Sequence, residues 1–139
     1  MIEIKQQPAE KIKDIEQDFD LIYMDPPFGL QRDFTMVEKD GEKKGFSDQW
    51  DSFDDYIIWY ANIVHSAWYK LKKNGWMYLH NNFIGNALLL SKVIPEIRDS
   101  FYTNISWKRS GPKNNIKNGW GNIVAVSYTH LRAHETREY

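Results

Sequence analysis

Asp25-Pro26-Pro27-Phe28 follows directly on the apolar run FDLIYM, Phe19 to Met24. A carboxylate, a carbonyl on a stiff backbone and an aromatic ring thus stand side by side, and this combination suits one demanding reaction. An exocyclic amino group of a nucleobase is a poor nucleophile, because its lone pair is delocalised into the ring. A site that methylates it must draw the nitrogen towards sp³ geometry, with acceptors that engage both N–H bonds as charge develops. Asp25 can supply one acceptor. The Pro26 carbonyl can supply the other, on a backbone that has no competing N–H. Phe28 can stack on the face of the base. No strong base is required, because the nitrogen becomes acidic as it gains the methyl group. The base must first leave the duplex, so an extrusion pocket is needed as well. In isolation the tetrapeptide reads better as a Pro-Pro turn that stops a strand. Its place after a buried strand and before a long polar segment reverses that preference.

The elements that must hold these residues can be read from periodicity. Phe19 to Met24 fits a buried parallel strand closed by Pro26. Ile2 to Ile4 is a candidate short strand, and Pro8 to Ile15 a short helix with proline in its first turn. Gly29 to Asp51, which includes VEKDGEKKG, reads as a long mobile loop. Ser52 and Asp55 make a capping-box-like start. Phe53, Tyr56, Ile57, Tyr60, Val64, Trp68 and Leu71 then recur at helical spacing. Lys70, Lys72 and Lys73 would fall in the last turn, with Gly75 as the stop. Trp76 to His80 is a strand, Ile84 to Ser100 a helix kinked at Pro95, and Phe101 to Lys108 a strand. Ser110 to Gly119 is turn-rich, and Asn122 to Ala125 starts a further strand. Alternating strands and helices predict an α/β fold with parallel pairing, and ligands of such sheets bind at the carboxyl ends of the strands.

Composition narrows the class. The 139 residues allow one domain at most. Hydrophobic residues at 42% and charged residues at 27% exclude a disordered or low-complexity chain. No apolar run approaches the ~20 residues that span a bilayer, so no membrane partner is expected. The absence of cysteine excludes disulfide scaffolds, cysteine nucleophiles and zinc–cysteine sites, and fits a cytoplasmic setting. The net charge of −1 argues against a uniformly basic nucleic-acid binder. It conceals a split, because Lys108, Arg109, Lys113 and Lys117 are unopposed by acids over residues 101–120.

DLIYMDPPF resembles the catalytic motif, [DNS]PP[YFW], of the S-adenosylmethionine-dependent amino-methyltransferases that act on adenine N6 or cytosine N4 in DNA. The resemblance continues through Phe46, Asp48, Trp50, Tyr56 and Trp59, then Leu71, Gly75, Tyr78 and Leu79. ISWKRSG, Ile105 to Gly111, is similar to a later block of the same family. It implies Asp25, Pro26, Pro27 and Phe28 as catalytic residues, and Asp as the first motif residue favours adenine. Trp107 would approach the extruded base, and Lys108 and Arg109 the phosphates of double-stranded DNA. His80, with Asn81 and Asn82, ends a strand on the edge where Asp25 lies. It would line the pocket, and a structural histidine is an equal reading.

The motif stands about twenty residues from the start with no glycine-rich loop before it. This order resembles the permuted group in which the catalytic half precedes the cofactor half. The fold implied is the catalytic half of a truncated, Rossmann-like methyltransferase sheet, with the S-adenosylmethionine site beyond Ala125. GWGN, at Gly119 to Asn122, reads as a loop rather than a cofactor cradle. The acidic cluster Asp48, Asp51, Asp54 and Asp55 reads as a helix N-terminus, not a metal site. His65, Trp59, Trp68 and Tyr60 read as structural. A restriction endonuclease is a conceivable partner. The rivals are a cytosine-N4 enzyme, an RNA or protein amide methyltransferase, a non-catalytic DNA-binding module and an inactive fragment.

Val126 to Thr136, VSYTHLRAHET, resembles the translation of a transposase-type sequencing adapter in a single frame. Residues 1–125 are therefore expected to be the native catalytic-motif part and 126–139 an adapter-derived tail. His130, His134 and Glu135 are accordingly not read as a metal or catalytic cluster.

Overall fold

The computed structural model describes residues 1–107 and 126–132. The strands are β1 (Phe19–Met24), β2 (Arg32–Val37), β3 (Lys43–Asp48), β4 (Leu71–Asn82), β5 (Phe101–Trp107) and β6 (Val126–Arg132). The helices are α1 (Phe53–Trp68), α2 (Phe83–Lys92) and the short α3 (Pro95–Arg98), and a 3-10 helix spans Ala9–Asp14. The main sheet runs β1-β4-β6-β5. β1 and β4 are parallel, with Ile22 opposite Met77 and Met24 opposite Leu79. β6 is antiparallel to both its neighbours. β1, β4 and β5 therefore end on one edge of the sheet, and the α/β expectation stands as a mixed sheet with one parallel pair.

Helix α1 forms where its apolar spacing predicts. The Ser52 side chain accepts from the Asp55 backbone N–H, a cap that stabilises by about 1 kcal/mol. Tyr56, Ile57, Tyr60, Val64 and Ala67 are fully buried on its inner face. They pack with Ile22, Met77, Leu79, Leu89 and Ile97 into one core, where each large side chain gains about 1.5–3 kcal/mol from burial. Along β4 burial alternates, with Gly75, Met77, Leu79 and Asn81 facing inwards. His80 takes the opposite face, as period-two geometry requires.

Five expectations need correction. Ile2 to Ile4 is exposed and forms no strand. Gly29 to Asp51 is not a loop, because β2 and β3 pair there as an antiparallel ribbon. Its turn has Gly41 at φ +84, a conformation that glycine adopts without strain. Helix α1 stops at Trp68, so Lys72, Lys73 and Gly75 belong to β4. There the register shifts between Phe19 and Leu21, beside Asn74 at φ +61. The segment after Ile84 is two helices, broken at Val93 and Ile94 because Pro95 cannot continue a helix but opens the next one. The pairing is not parallel throughout, because the antiparallel β6 lies between β4 and β5. The candidate strand at Asn122 to Ala125 lies outside the described residues.

Candidate active site

Asp25 emerges from β1 at the carboxyl edge of the parallel pair, beside His80 of β4. The Asp25 carboxylate lies 3.4 Å from His80 Nδ1, and the Tyr23 hydroxyl is 2.6 Å from the same nitrogen. The Phe28 ring centroid stands 5.6 Å from the imidazole. Asp25 is open, with its side chain 55% exposed, whereas that of His80 is 13% exposed. Strand alternation puts Tyr23 and His80 on the face away from α1, while Ile22 and Met77 point into the core.

The turn carrying the motif is held from both sides. On one side the carboxylate of Asp48, fully buried at the end of β3, accepts from Gly29 N at 3.0 Å and Leu30 N at 2.7 Å. It also accepts from Trp50 Nε1 at 2.9 Å. Three N–H donors offset the cost of burying this charge. On the other side the Tyr56 hydroxyl of α1 donates to the Pro27 carbonyl and accepts from Asn81 Nδ2 at 2.6 Å. Burial pushes the Tyr56 phenol well above its ordinary range, while the Asn81 hydrogen bond opposes that rise and the nearby Asp48 charge adds to it. The hydroxyl therefore stays protonated and keeps its donor. Burial, reinforced by Tyr56, raises the Tyr60 phenol as well, and its hydroxyl bonds Asn86 Oδ1 at 3.0 Å.

Gly29 is required by this packing. Its φ is +72, and an added Cβ would lie 2.7 Å from Tyr56 Cδ1. The base of the ribbon is closed by Gln31, which donates to the Trp50 carbonyl and accepts from the Trp50 N–H, both at 2.7 Å. The Trp50 ring in turn contacts Tyr56 and Trp59, with centroids 5.3 and 4.9 Å apart. Strand, ribbon and helix thus converge on the backbone of residues 27–30. A groove of about 570 Å³ runs beside the turn, with Met24, Asp25, Pro26, Trp50 and Trp59 among its lining residues. Glu10 also lines it, accepting from Trp59 Nε1 at 2.7 Å.

The structure brings Asp25, Phe28 and His80 together at this edge, with Pro26 and Pro27 between Asp25 and Phe28 in the chain. Trp107 ends β5 on the same sheet edge, opposite Val126, which in turn is opposite Asn82. Lys108, Arg109, Lys113, Lys117 and GWGN lie outside the described residues. Asp48 departs from its reading as part of an acidic helix start. It is the buried anchor of the motif turn, whereas Asp54 and Asp55 do occupy the first turn of α1. Asn81 braces Tyr56 from the core side, and Asn82 caps α2 through Gly85 N at 2.7 Å. His65 is structural, its Nε2 accepting from Ile94 N at 3.1 Å. Sequence reasoning missed Tyr23, Gln31 and the bracing role of Tyr56. Tyr56 stands at a core position of α1, and nothing in the spacing distinguishes its hydroxyl from a solvent-facing one.

The fold and site define an α/β protein with its polar cluster at the carboxyl end of a parallel strand pair, where open α/β sheets take their ligands. The chain matches the DNA methylase family over residues 19–136. It belongs to that family, the N6/N4 DNA methyltransferases. It is also similar to the type II methyltransferase M.HinfI of Haemophilus influenzae, at 25% identity over 114 residues. That alignment covers 77% of this chain and 31% of the relative, so the chain spans about a third of that protein's length. Among the described residues no helix is long and apolar enough to cross a membrane.

Proposed function

We propose that the protein carrying this chain transfers a methyl group from S-adenosylmethionine to the N6 amino group of adenine in double-stranded DNA. The observation that carries this reading is the placement of Asp25 and the Pro26–Pro27 turn at a sheet edge, locked by Asp48 and Tyr56. Preorganised acceptors of this kind stabilise charge developing on an amine without reorganising during the reaction. Asp25 Oδ accepts one amino hydrogen and the Pro26 carbonyl the other, while Phe28 stacks on the extruded base. Aspartate at the head of the motif favours adenine over cytosine N4.

The donor supplies an electrophilic methyl group on a sulfonium leaving group. Asp25 and Pro26, at the rim of the groove, would face its methyl-bearing end, and the apolar wall of Met24, Trp50 and Trp59 suits a ligand from which water is excluded. The described residues include no glycine-rich turn after a strand, so no residue is assigned to the adenosine part. We place that part of the site in sequence beyond residue 125. On this reading residues 126–139 are an adapter-derived tail. A cognate restriction endonuclease belongs to the same proposal, the similar protein being named a type II methyltransferase. Incubating DNA with the complete enzyme and labelled donor, then hydrolysing to nucleosides, tests the reading. N6-methyl-2′-deoxyadenosine is expected, and N4-methyl-2′-deoxycytidine would transfer it to the sister activity.

A further inference from the structure

The carboxyl edge of the β1/β4 pair holds a group that the proposed reaction has not used. His80 Nδ1 stands between the Tyr23 hydroxyl at 2.6 Å and the Asp25 carboxylate at 3.4 Å. The imidazole is tucked in while Asp25 is half open. Methylation of an amine releases a proton, and the acceptor nearest the amine on this reading is Asp25. A carboxylate left protonated would no longer serve as an acceptor in the next turnover. We propose that His80, oriented by Tyr23, takes this proton from Asp25 and so restores the carboxylate. The proposal rests on the DNA-methylation reading above and names a positioning and relay pair for the same site.

The chemistry balances. The amine lone pair forms the new N–C bond as the methyl–sulfur bond breaks and its electrons leave with sulfur. The resulting cationic nitrogen gives one proton to Asp25 Oδ. Asp25 passes it to His80 Nδ1, and the imidazolium then gives that Nδ1 proton to water, which restores the Nε2–H form for the next turnover. In the proposed resting state the ring is the Nε2–H tautomer and the Tyr23 O–H donates to Nδ1. A protonated Asp25 is a better donor than a phenol and displaces Tyr23 from the lone pair. The 3.4 Å gap must shorten when substrate binds, as catalytic contacts that are long in free enzymes do.

The test uses the complete enzyme in multiple-turnover methyl transfer. His80→Asn keeps an acceptor near the Nδ1 position but cannot carry a proton. It is expected to bind DNA and extrude the base as the wild type does, read by 2-aminopurine fluorescence, yet to slow transfer about 10- to 100-fold. His80→Ala is expected to regain rate as imidazole is added to the buffer. Nitrogen-15 shifts of the His80 ring are expected to show Nε2 as the protonated nitrogen of the neutral form. Wild-type transfer rates in His80→Asn, absence of imidazole rescue in His80→Ala, or an Nδ1–H tautomer would each overturn the relay. A wild-type enzyme that methylates no DNA base would overturn the function itself, and is thereby distinguished from failure of the relay.

Discussion

Asp48→Asn isolates the anchor of the motif turn. The substitution keeps the shape of the side chain and removes its charge. Oδ1 of the aspartate accepts from Gly29 N and Trp50 Nε1, and Oδ2 accepts from Leu30 N. An asparagine can keep its carbonyl oxygen towards the first two donors, but its amide then faces the Leu30 N–H, donor against donor. One charge-assisted hydrogen bond disappears, two become neutral, and a part-buried donor is left unpaired. Hydrogen bonds to charged groups contribute about 1.5–3 kcal/mol, and an orphaned donor costs about 1–3 kcal/mol. Release from burying a charge offsets part of this, so a net loss of about 2–4 kcal/mol is expected. With a urea slope of about 1–3 kcal/mol per molar for a small protein, the midpoint falls by roughly 1–2 M. Tryptophan fluorescence reads the transition, since Trp50 is itself a partner. In the complete enzyme the chemical step should fall more than DNA affinity, because the turn sets the reacting geometry rather than the phosphate contacts. A stability change under about 0.5 kcal/mol together with an unaltered methyl-transfer rate would refute the clamp.

Three further outcomes follow from the same geometry. Tyr56→Phe leaves the Pro27 carbonyl and the Asn81 amide without the bridging hydroxyl, and should destabilise by about 1–3 kcal/mol in chemical denaturation; an unchanged midpoint would contradict it. Gly29→Ala meets both a positive φ and a Cβ 2.7 Å from Tyr56, so it should lower thermal stability and methylation together. Glu10 is held below its ordinary value of 4.5, chiefly by the Trp59 hydrogen bond. A depressed folded-state value means that this tether is present above the unfolded value and is lost as pH falls through the folded one. Trp59 fluorescence should therefore change below pH 4.5, and Glu10→Gln, which keeps a neutral acceptor, should abolish that change.

What the sequence discloses and what it hides follow from the kind of signal each element leaves. FDLIYM and the Tyr56–Ile57–Tyr60–Val64 spacing announce β1 and α1, because a buried strand and a one-sided helix impose their periods on the residue types. The ribbon β2–β3 is masked by its exposure. Lys43, Lys44 and Thr35 face solvent, so no apolar alternation marks it, and the Asp40-Gly41 turn is its one local signature. Asp48 reads as one more acid in an acidic stretch until the ribbon brings it under Gly29 and Leu30. Asn81 looks like a pocket residue because it adjoins His80 in sequence, yet period-two alternation turns it inwards to Tyr56. The motif itself was readable because its residue types are tied to the chemistry, while its bracing depends on contacts 18 to 29 residues away in the chain.

The central claim is that Asp25 acts on an amino group of a DNA base. The most direct measurement compares the complete enzyme with its Asp25→Ala variant for methylated nucleoside formed and for DNA bound. Loss of N6-methyl-2′-deoxyadenosine with DNA binding retained is the predicted result. Methylation by Asp25→Ala at the wild-type rate would contradict it.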